Sequence, residues 1–518
     1  MWDVFYDAET IGASKVNPSL QELKYLKYLD LSMNNFSHAP VPSVISSLVH
    51  LEYLNLSYAM FYGLVPPQLG NLSNLYHLDL GGWFLHVDDL DWLSHLSSNG
   101  IIGKIPESIG NLSNLVELYL SRNNIAGSIP RTMSTLIHMK ILCLFDNRIY
   151  GEIPETIGGL QNLLVLSLDN NFITGEIPAT IGGLQNLQLL SLDNNFITGE
   201  IPETIGGLQN LQMLYLDNNF ITGEIPATIG GLQNLQTLIL KDNSFTGQIP
   251  NTIGRLRNLL YLDISNNNLS GPLPKTMASL GNLTNLRHLD LGGNSISGEI
   301  PQTVGNSVRL EYLDLSNNGI NGKIPQAIGN LSASLSSLVL NGNNLSGIIP
   351  SSMGQLSQLR KVDLSSNSLA GNITEAHFLN LTSLSELIIA SNSLNVILPN
   401  DWLPPFNASI IDMSFCHIGA KFPDWIQTQH QLQRLYLSGV GVSGNLPIWF
   451  SNFSKHLEIL YLSSNHLTDQ LPSAPLLMLD LSNNSFVGPI PLDFTEATNL
   501  QLLSLSHNHI NDSLSPFF

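Results

Sequence analysis

A leucine pattern that returns about every 24 residues constrains this chain more than any other feature. The pattern L-x-x-L-x-L-x-x-N begins at residues 26–34 and is still present at residues 500–508. Twenty units can be aligned, and 16 of them carry asparagine in the last position. One unit of this length cannot bury its own apolar face, so neighbouring units must stack into a solenoid.

Each part of the repeat suits one structural task. The leucines of L-x-L alternate with other residues, which predicts a half-buried strand. The asparagine amide can donate to and accept from backbone groups where the chain turns behind that strand. In Gly175–Pro178, an example of G-x-I-P, glycine permits a positive φ and proline fixes φ. Residues 181–187 space their apolar residues three apart, which predicts a short helical turn. We therefore predict an α/β solenoid, a right-handed superhelix with a parallel concave sheet and about 20 repeats.

Composition and local motifs exclude several classes of function. Acidic residues number 40 against 20 basic residues, and the formal net charge of −20 opposes binding to nucleic acid or to anionic membranes. No apolar run is long enough to form a membrane segment. Residues 439–444 match G-x-G-x-x-G, but Asn445–Pro447 continue the ordinary G-x-I-P turn where a nucleotide site needs a helix. No catalytic triad or kinase motif is present, so we predict neither an enzyme nor a cofactor.

The full repeat L-x-x-L-x-L-x-x-N-x-L-x-G-x-I-P resembles the plant-specific leucine-rich repeat of cell-surface receptors. Trp402–Phe406, Cys416, Phe422–Trp425 and Gln427–Gln429 are similar to the corresponding stretch of receptor-like proteins that resemble fungal-xylanase receptors. This resemblance implies a glycosylated ectodomain at the extracellular face of the plasma membrane. It also implies a peptide or protein ligand and a co-receptor kinase as partners.

The repeat pattern divides the chain into four segments. Residues 1–20 are interpreted as an atypical N-terminal segment without a signal peptide or cysteine cap, and residues 21–82 as repeat coils. Residues 83–104 form an irregular junction, and residues 105–518 a continuous solenoid without a C-terminal cap. Within the junction, His86, Asp88, Asp89, Asp91 and His95 are interpreted as a solvated acidic loop and not as a metal site.

The strongest signal for function lies in a duplicated block. Residues 151–198 and 199–246 are near copies whose differences gather at outward strand positions, where packing leaves the residue type free. These differences fit either sequence drift or recognition of a ligand. The alternative to a binding site is a polar sheet whose side chains are simply solvated. Candidate ligand-binding residues on the inner face are Tyr215, Ile239, Tyr261, His288, Tyr312, Asp169, Asp193 and Asp217. We expect the three aspartates to form one like-charge column.

Cysteines and glycosylation sequences complete the candidate positions. We expect Cys143 to face outward on its strand and Cys416 to replace the inward asparagine. About 11 coils separate the two, roughly 50 Å at the usual strand spacing, so no disulfide is expected. Fourteen N-x-S/T sequences occur, and we favour glycosylation over a mere idiom of the repeat if the chain is secreted. Candidate acceptors are Asn71, Asn111, Asn282, Asn372, Asn380 and Asn452.

These features support three hypotheses of function. The first is the ectodomain of a plant receptor-like protein that recognises a peptide or protein, perceived as a defence or developmental signal, on the concave sheet. The second is a secreted inhibitor of a microbial cell-wall hydrolase, similar to polygalacturonase-inhibiting proteins, which have about half this length. The third is an intracellular repeat scaffold or a non-functional receptor fragment.

Overall fold

The structure is a computed structural model that describes residues 16–36, 39–82, 101–273, 283–399, 401–468, 470–472, 476–490 and 499–511. The chain divides into two compact units, residues 1–259 and residues 260–518.

In the first unit each leucine repeat contributes one three-residue strand to a parallel sheet, the main sheet of that unit. The central leucine of each strand is buried, as at Leu166 and Leu190, which are both 0% exposed. Val165 lies beside Leu189 and Ser167 beside Ser191, so neighbouring coils are in register. The described strands are Tyr28–Asp30, Tyr53–Asn55, His77–Asp79, Glu117–Tyr119, Ile141–Cys143, Val165–Ser167, Leu189–Ser191, Met213–Tyr215 and Thr237–Ile239.

The second unit repeats this arrangement in its own main sheet. Parallel pairing joins each strand to the next, and the strands again consist of three residues. The central residue is buried except in the last of these strands, where Leu503 is 42% exposed. Its described strands are Tyr261–Asp263, His288–Asp290, Tyr312–Asp314, Ser337–Val339, Lys361–Asp363, Glu386–Ile388, Ile410–Asp412, Arg434–Tyr436, Ile459–Tyr461, Met478–Asp480 and Leu502–Ser504. One main-sheet strand per predicted repeat, in both units, confirms the solenoid. We call the two residues that flank the central position of each strand the open face of the main sheet.

Helical turns form the return side of the coils, and with one exception the described turns are 3₁₀ rather than α-helical. The predicted turn at residues 181–187 begins earlier, as Ala179–Gly183, because Pro178 at φ −66° starts the helix. The Leu184 N–H donates to the Ile181 carbonyl and closes it. The first unit contains Pro18–Glu22, Ser43–Ser47, Pro67–Asn71, Glu107–Asn111, Arg131–Thr135, Glu155–Gly159, Ala179–Gly183, Glu203–Gly207, Ala227–Gly231 and Asn251–Arg255. The second contains Gln302–Asn306, Gln326–Leu331, Ser351–Gln355, Glu375–Phe378, Asp424–Thr428, Ser454–His456 and one α-helical turn, Phe450–Phe453.

A further set of short strands, which sequence reasoning did not predict, follows the asparagine position of many coils; we call them flank strands. They pair in parallel with the flank strand of the previous coil, and Phe172 lies beside Tyr150 in this way. In the first unit they are Gly63–Leu64, Ile101–Gly103, Asn124–Gly127, Arg148–Glu152 and Phe172–Thr174. In the second they are Ser270–Pro272, Ser295–Glu299, Gly319–Gly322, Asn344–Gly347, Ser368–Ile373, Ser393–Val396, Ser443–Gly444, His466–Leu467, Val487–Gly488 and His509–Ile510. The glycine-rich stretch 439–444 thus ends in a flank strand, in register with the repeat.

Buried asparagines connect consecutive coils, as the sequence predicts. The Asn171 amide nitrogen donates to the carbonyls of Leu144, Leu168 and Asp169 at 3.0, 3.0 and 3.1 Å. Its amide oxygen accepts the Ile149 N–H at 3.0 Å. One side chain therefore pairs four backbone groups that would otherwise be buried without partners. The glycine four residues later, Gly175, has the predicted positive φ of 76°.

The predicted junction at residues 83–104 falls mostly outside the described residues, and so do His86, Asp88, Asp89, Asp91 and His95. His77–Asp79 pairs directly with Glu117–Tyr119 in the main sheet. Residues 101–103 form a flank strand beside Gly63–Leu64. In the described part of the chain, no helix combines the length and apolar character needed to cross a bilayer.

Candidate ligand-binding site

Three of the predicted residues form an aromatic stack on the open face of the second unit. Tyr261, His288 and Tyr312 occupy the first position of three successive main-sheet strands. The ring centroids of Tyr261 and His288 are 3.9 Å apart, and those of His288 and Tyr312 are 4.2 Å apart. The planes deviate by 5° and 4° from parallel. These rings are half-buried, because each covers a face of its neighbour.

Three aspartates occupy the third position of the same strands, after the central leucine, whereas the stacked rings occupy the first. Asp263, Asp290 and Asp314 each accept a backbone N–H from two residues further along, at 3.1, 2.9 and 2.8 Å. The Tyr312 hydroxyl also donates to Asp314 at 3.1 Å. Burial and the Asp314 charge raise the pKa of Tyr312, so the hydroxyl stays a donor. The sequence pattern D-x-S or D-x-G recurs at these aspartates and is a signal for their hydrogen bonds to the backbone, which were not predicted.

The second unit also brings three possible metal ligands together. One donor atom each from Asp263, His288 and Asp290 lies within 4.8 Å of the others. The sequence predicted no metal site, and the carboxylates of Asp263 and Asp290 have a structural role in capping the backbone. Of the three, Asp263 is buried, and His288 and Asp290 are half-buried.

Tyr215 and Ile239 lie on the open face of the first unit. They are neighbours in the register of the main sheet and follow the central leucine, whereas the residues of the stack precede it. Both side chains are half-buried. The sequence pattern placed Tyr215 and Ile239 on one face with the residues of the stack. It did not distinguish the position before the central leucine from the position after it.

The predicted acidic column is present in the first unit, but its carboxylates are not simply solvated. Ser167 and Ser191 hydroxyls donate to Asp169 and Asp193 at 2.5 and 2.6 Å. Burial raises the pKa of Asp193, and the Asp169 charge raises it further. Asp217 is buried, with 9% exposure. Neighbouring carboxylates of this column therefore repel one another, as the strand spacing predicts.

A second aromatic stack on the open face of the first unit was missed. The ring centroids of Tyr28 and Tyr53 are 4.1 Å apart, and those of Tyr53 and His77 are 4.2 Å apart. A hydrogen bond to Tyr53 raises the pKa of Tyr28 to about 12. Aspartate or asparagine is again the third residue of each strand, as in Y-L-D, Y-L-N and H-L-D. The same pattern of an aromatic residue, leucine and aspartate recurs at residues 261–263, 288–290 and 312–314, and this recurrence was the sequence signal for a second stack.

Both cysteines are buried free thiols. Cys143 occupies the predicted outward position, third in its strand, but it is only 8% exposed because it lies between Tyr119 and Ser167 of the neighbouring strands. Burial raises its pKa to about 12. Cys416 occupies the asparagine position as predicted, and its Sγ donates to the Ile389 carbonyl at 3.3 Å.

Five of the six candidate glycosylation asparagines lie in the described residues, and all five are exposed. They lie in helical turns, in a flank strand or in a loop. The five are Asn71, Asn111, Asn372, Asn380 and Asn452. Asn282 lies outside the described residues.

The repeats match a known family. The profile of a leucine-rich repeat region matches residues 131–219 and 274–471, together more than half of the chain. The chain therefore belongs to the leucine-rich-repeat family. Within this family it is a plant leucine-rich-repeat receptor-like protein, as its similarity to curated receptor-like proteins and to solved receptor ectodomains shows.

Three similar proteins define that relationship. Receptor-like protein EIX1 of Solanum lycopersicum is 57% identical over 84 residues, which is 16% of this chain and 8% of EIX1. The chain thus aligns with less than a tenth of this relative. The plant peptide hormone receptor RGFR1 in complex with RGF2 has a TM-score of 0.76 and 30% identity, over 96% of this chain and 84% of that one. The Arabidopsis receptor kinase HAESA, in complex with the peptide hormone IDA and the co-receptor SERK1, has a TM-score of 0.74 and 29% identity, over 94% and 83%.

Proposed function

We propose that this ligand-binding receptor ectodomain recognises a peptide or protein, as a defence or developmental signal, on the open face of its main sheets. The observation that carries the proposal is the stack of Tyr261, His288 and Tyr312 beside the carboxylates of Asp290 and Asp314. Stacked rings on short strands are rigid, so binding a ligand there costs little side-chain entropy.

The chemistry of this face favours a partner with polar backbone groups and apolar or basic side chains. Carboxylates accept hydrogen bonds from peptide N–H groups and from lysine or arginine. The ring edges left exposed by stacking offer apolar contact. RGFR1 and HAESA are bound to peptides in their solved structures, which supports a peptide ligand for this chain.

Localisation and partners are part of the same proposal. The chain acts at the extracellular face of the plasma membrane, with a co-receptor kinase as partner, by its similarity to receptor-like proteins and to the HAESA complex with SERK1. Glycan occupancy tests this placement, because the five described sequons are exposed. Peptide mapping after expression in plant tissue should find glycans at several of them. A chain without any glycan would contradict secretion and favour an intracellular scaffold.

Binding to the open face can be tested without knowing the natural ligand. A library of random linear 12-residue peptides is selected on the full chain, and affinities of the selected peptides are measured for variants. Tyr261→Ala and Tyr215→Ala should each weaken binding of some selected peptides at least tenfold. Ile137→Ala, a matched control at an exposed apolar residue outside the open face, should not. If no selected peptide distinguishes the tyrosine variants from the control, the proposed site is wrong.

A further inference from the structure

A row of exposed phenylalanines crosses three coils of the first unit. Phe172, Phe196 and Phe220 are 49%, 45% and 55% exposed, and each follows an asparagine that connects consecutive coils. Neighbouring ring centroids are 5.9 Å apart, with planes 10° and 19° from parallel. We call these residues the phenylalanine row. It lies in and beyond the flank strand Phe172–Thr174, not in the main sheet.

A row of glutamates runs parallel to the phenylalanines, four residues further along each coil; we call it the glutamate row. All its members are exposed, and none forms an ion pair within the described residues. Each side chain lies over the glycine of the following coil: a Cβ on Gly175 would be 2.6 Å from Cγ of Glu152. The glutamate row consists of Glu152, Glu176, Glu200 and Glu224.

The two rows face solvent on the same side of the coils. Alternation along an extended chain exposes Phe172, Thr174 and Glu176 while it buries Ile173 and Ile177. Thr174 and the equivalent threonines therefore lie between the phenylalanine row and the glutamate row. No described lysine or arginine lies within ion-pair distance of these carboxylates, so a positively charged partner would complement the charge of this surface.

We propose that this surface is a second docking site, for an extended cationic segment of another protein. A strand that lies along the threonines would direct alternate side chains to the two rows, apolar ones to phenylalanine and basic ones to glutamate. Two residues of a strand advance about 6.6 Å, close to the 5.9 Å between rings. The site is separate from the open face and does not depend on the ligand proposed there.

Charge and ring geometry disfavour other occupants. Nucleic acid and anionic lipid are repelled by the glutamate row, and a second copy would bring another chain of net charge −20. Sugars stack on the faces of aromatic rings, whereas here Phe172, Phe196 and Phe220 turn their faces towards one another.

The chain itself supplies conservative substitutions for a test. In the coil after Phe220, Ser244 occupies the phenylalanine position and Gln248 the glutamate position. The Ser244 N–H donates to the Ile221 carbonyl as the Phe220 N–H donates to that of Ile197. Phe196→Ser and glutamate-to-glutamine changes are therefore compatible with the coil.

The test measures binding of a fluorescent eight-residue peptide of alternating leucine and lysine to the full chain, by anisotropy. Changing all four residues of the glutamate row to glutamine should weaken binding at least tenfold, and Phe196→Ser at least fivefold. The control Glu155→Gln with Glu203→Gln removes exposed charge from helical turns of the same block and should change affinity less than twofold.

Several outcomes would overturn the proposal. They are no binding of the leucine–lysine peptide, equal binding of a leucine–glutamate peptide, or equal losses in the glutamate-row and control variants. Self-association of the chain that Phe196→Ser abolishes would identify a second copy as the occupant and would also overturn it. Circular dichroism of each variant verifies that the coils remain folded.

Discussion

The imidazole of His288 lies parallel to the phenol ring of Tyr312, with centroids 4.2 Å apart and planes within 4°. Strand register places the two rings side by side, and Tyr261 covers the other face of the imidazole at 3.9 Å. The stack thus joins three coils of the second unit and also forms part of the proposed binding site.

His288→Ala should therefore lower the free energy of unfolding. Two ring pairs are lost, and such pairs contribute about 0.5–1.5 kcal/mol each. Chemical denaturation monitored by fluorescence measures the loss. The control His430→Ala removes an exposed histidine of the same unit and should change stability by less than about 0.5 kcal/mol. Equal effects of the two variants would contradict a stabilising stack.

Asn195→Ala should be strongly destabilising. Its amide nitrogen donates to the carbonyls of Leu168 and Leu192, and its oxygen accepts the Ile173 N–H. Leaving such buried groups unpaired costs about 1–3 kcal/mol each, so the loss should exceed about 2 kcal/mol. Asn186→Ala breaks one exposed hydrogen bond to Gln161 and is the matched control. Urea midpoints that are the same for both variants would refute the structural role.

The thiols should be unreactive in the folded chain at pH 8. Burial raises the pKa of Cys416 to about 11 and that of Cys143 to about 12, so almost no thiolate is present. An unfolded thiol titrates near 8.5, so the folded state loses stability as pH rises from about 8.5 towards 11. An aromatic disulfide reagent should react at least 100-fold faster in denaturant than in buffer. Rapid reaction of the native chain would contradict the burial.

Asp193→Asn should stabilise the first unit at pH 7. Burial raises the pKa of this carboxyl above its ordinary 3.8, so the folded state favours the protonated form and loses stability as pH rises through that range. Removing the charge should raise the free energy of unfolding by roughly 0.2–1 kcal/mol at pH 7 and by much less at pH 3. Denaturation at both pH values measures this. Glu203→Gln, an exposed control, should show no such pH dependence; an unchanged Asp193→Asn protein would exclude the proposed repulsion.

Sequence reasoning succeeded where one residue type has one physical task. The buried leucine, the asparagine at position 171 and its equivalents, and the positive φ of Gly175 all followed from local chemistry. The helical turn began earlier than predicted because Pro178 determines its start, which apolar spacing does not reveal. Cys143 is buried because neighbouring strands cover it, and that depends on residues 24 positions away.

The candidate site was predicted only in part for a similar reason. Residue spacing showed which side chains point away from the core. It did not show that Tyr261, His288 and Tyr312 stack at the position before the central leucine, whereas Tyr215 follows that leucine. The flank strands and the phenylalanine row lie beyond the asparagine, where the L-x-L alternation that predicts the main strands has already ended. Their signal was a phenylalanine directly after the asparagine in three successive coils.

Hydroxyl-radical footprinting tests the central claim, ligand binding on the open face, most directly. The full chain is oxidised with and without a peptide selected from the linear 12-residue library, and side-chain oxidation is quantified by mass spectrometry. Binding on the open face predicts at least threefold protection of Tyr261, His288 and Tyr312, with no change at Ile137. Unchanged oxidation of the three open-face residues, with protection elsewhere on the chain, would contradict it.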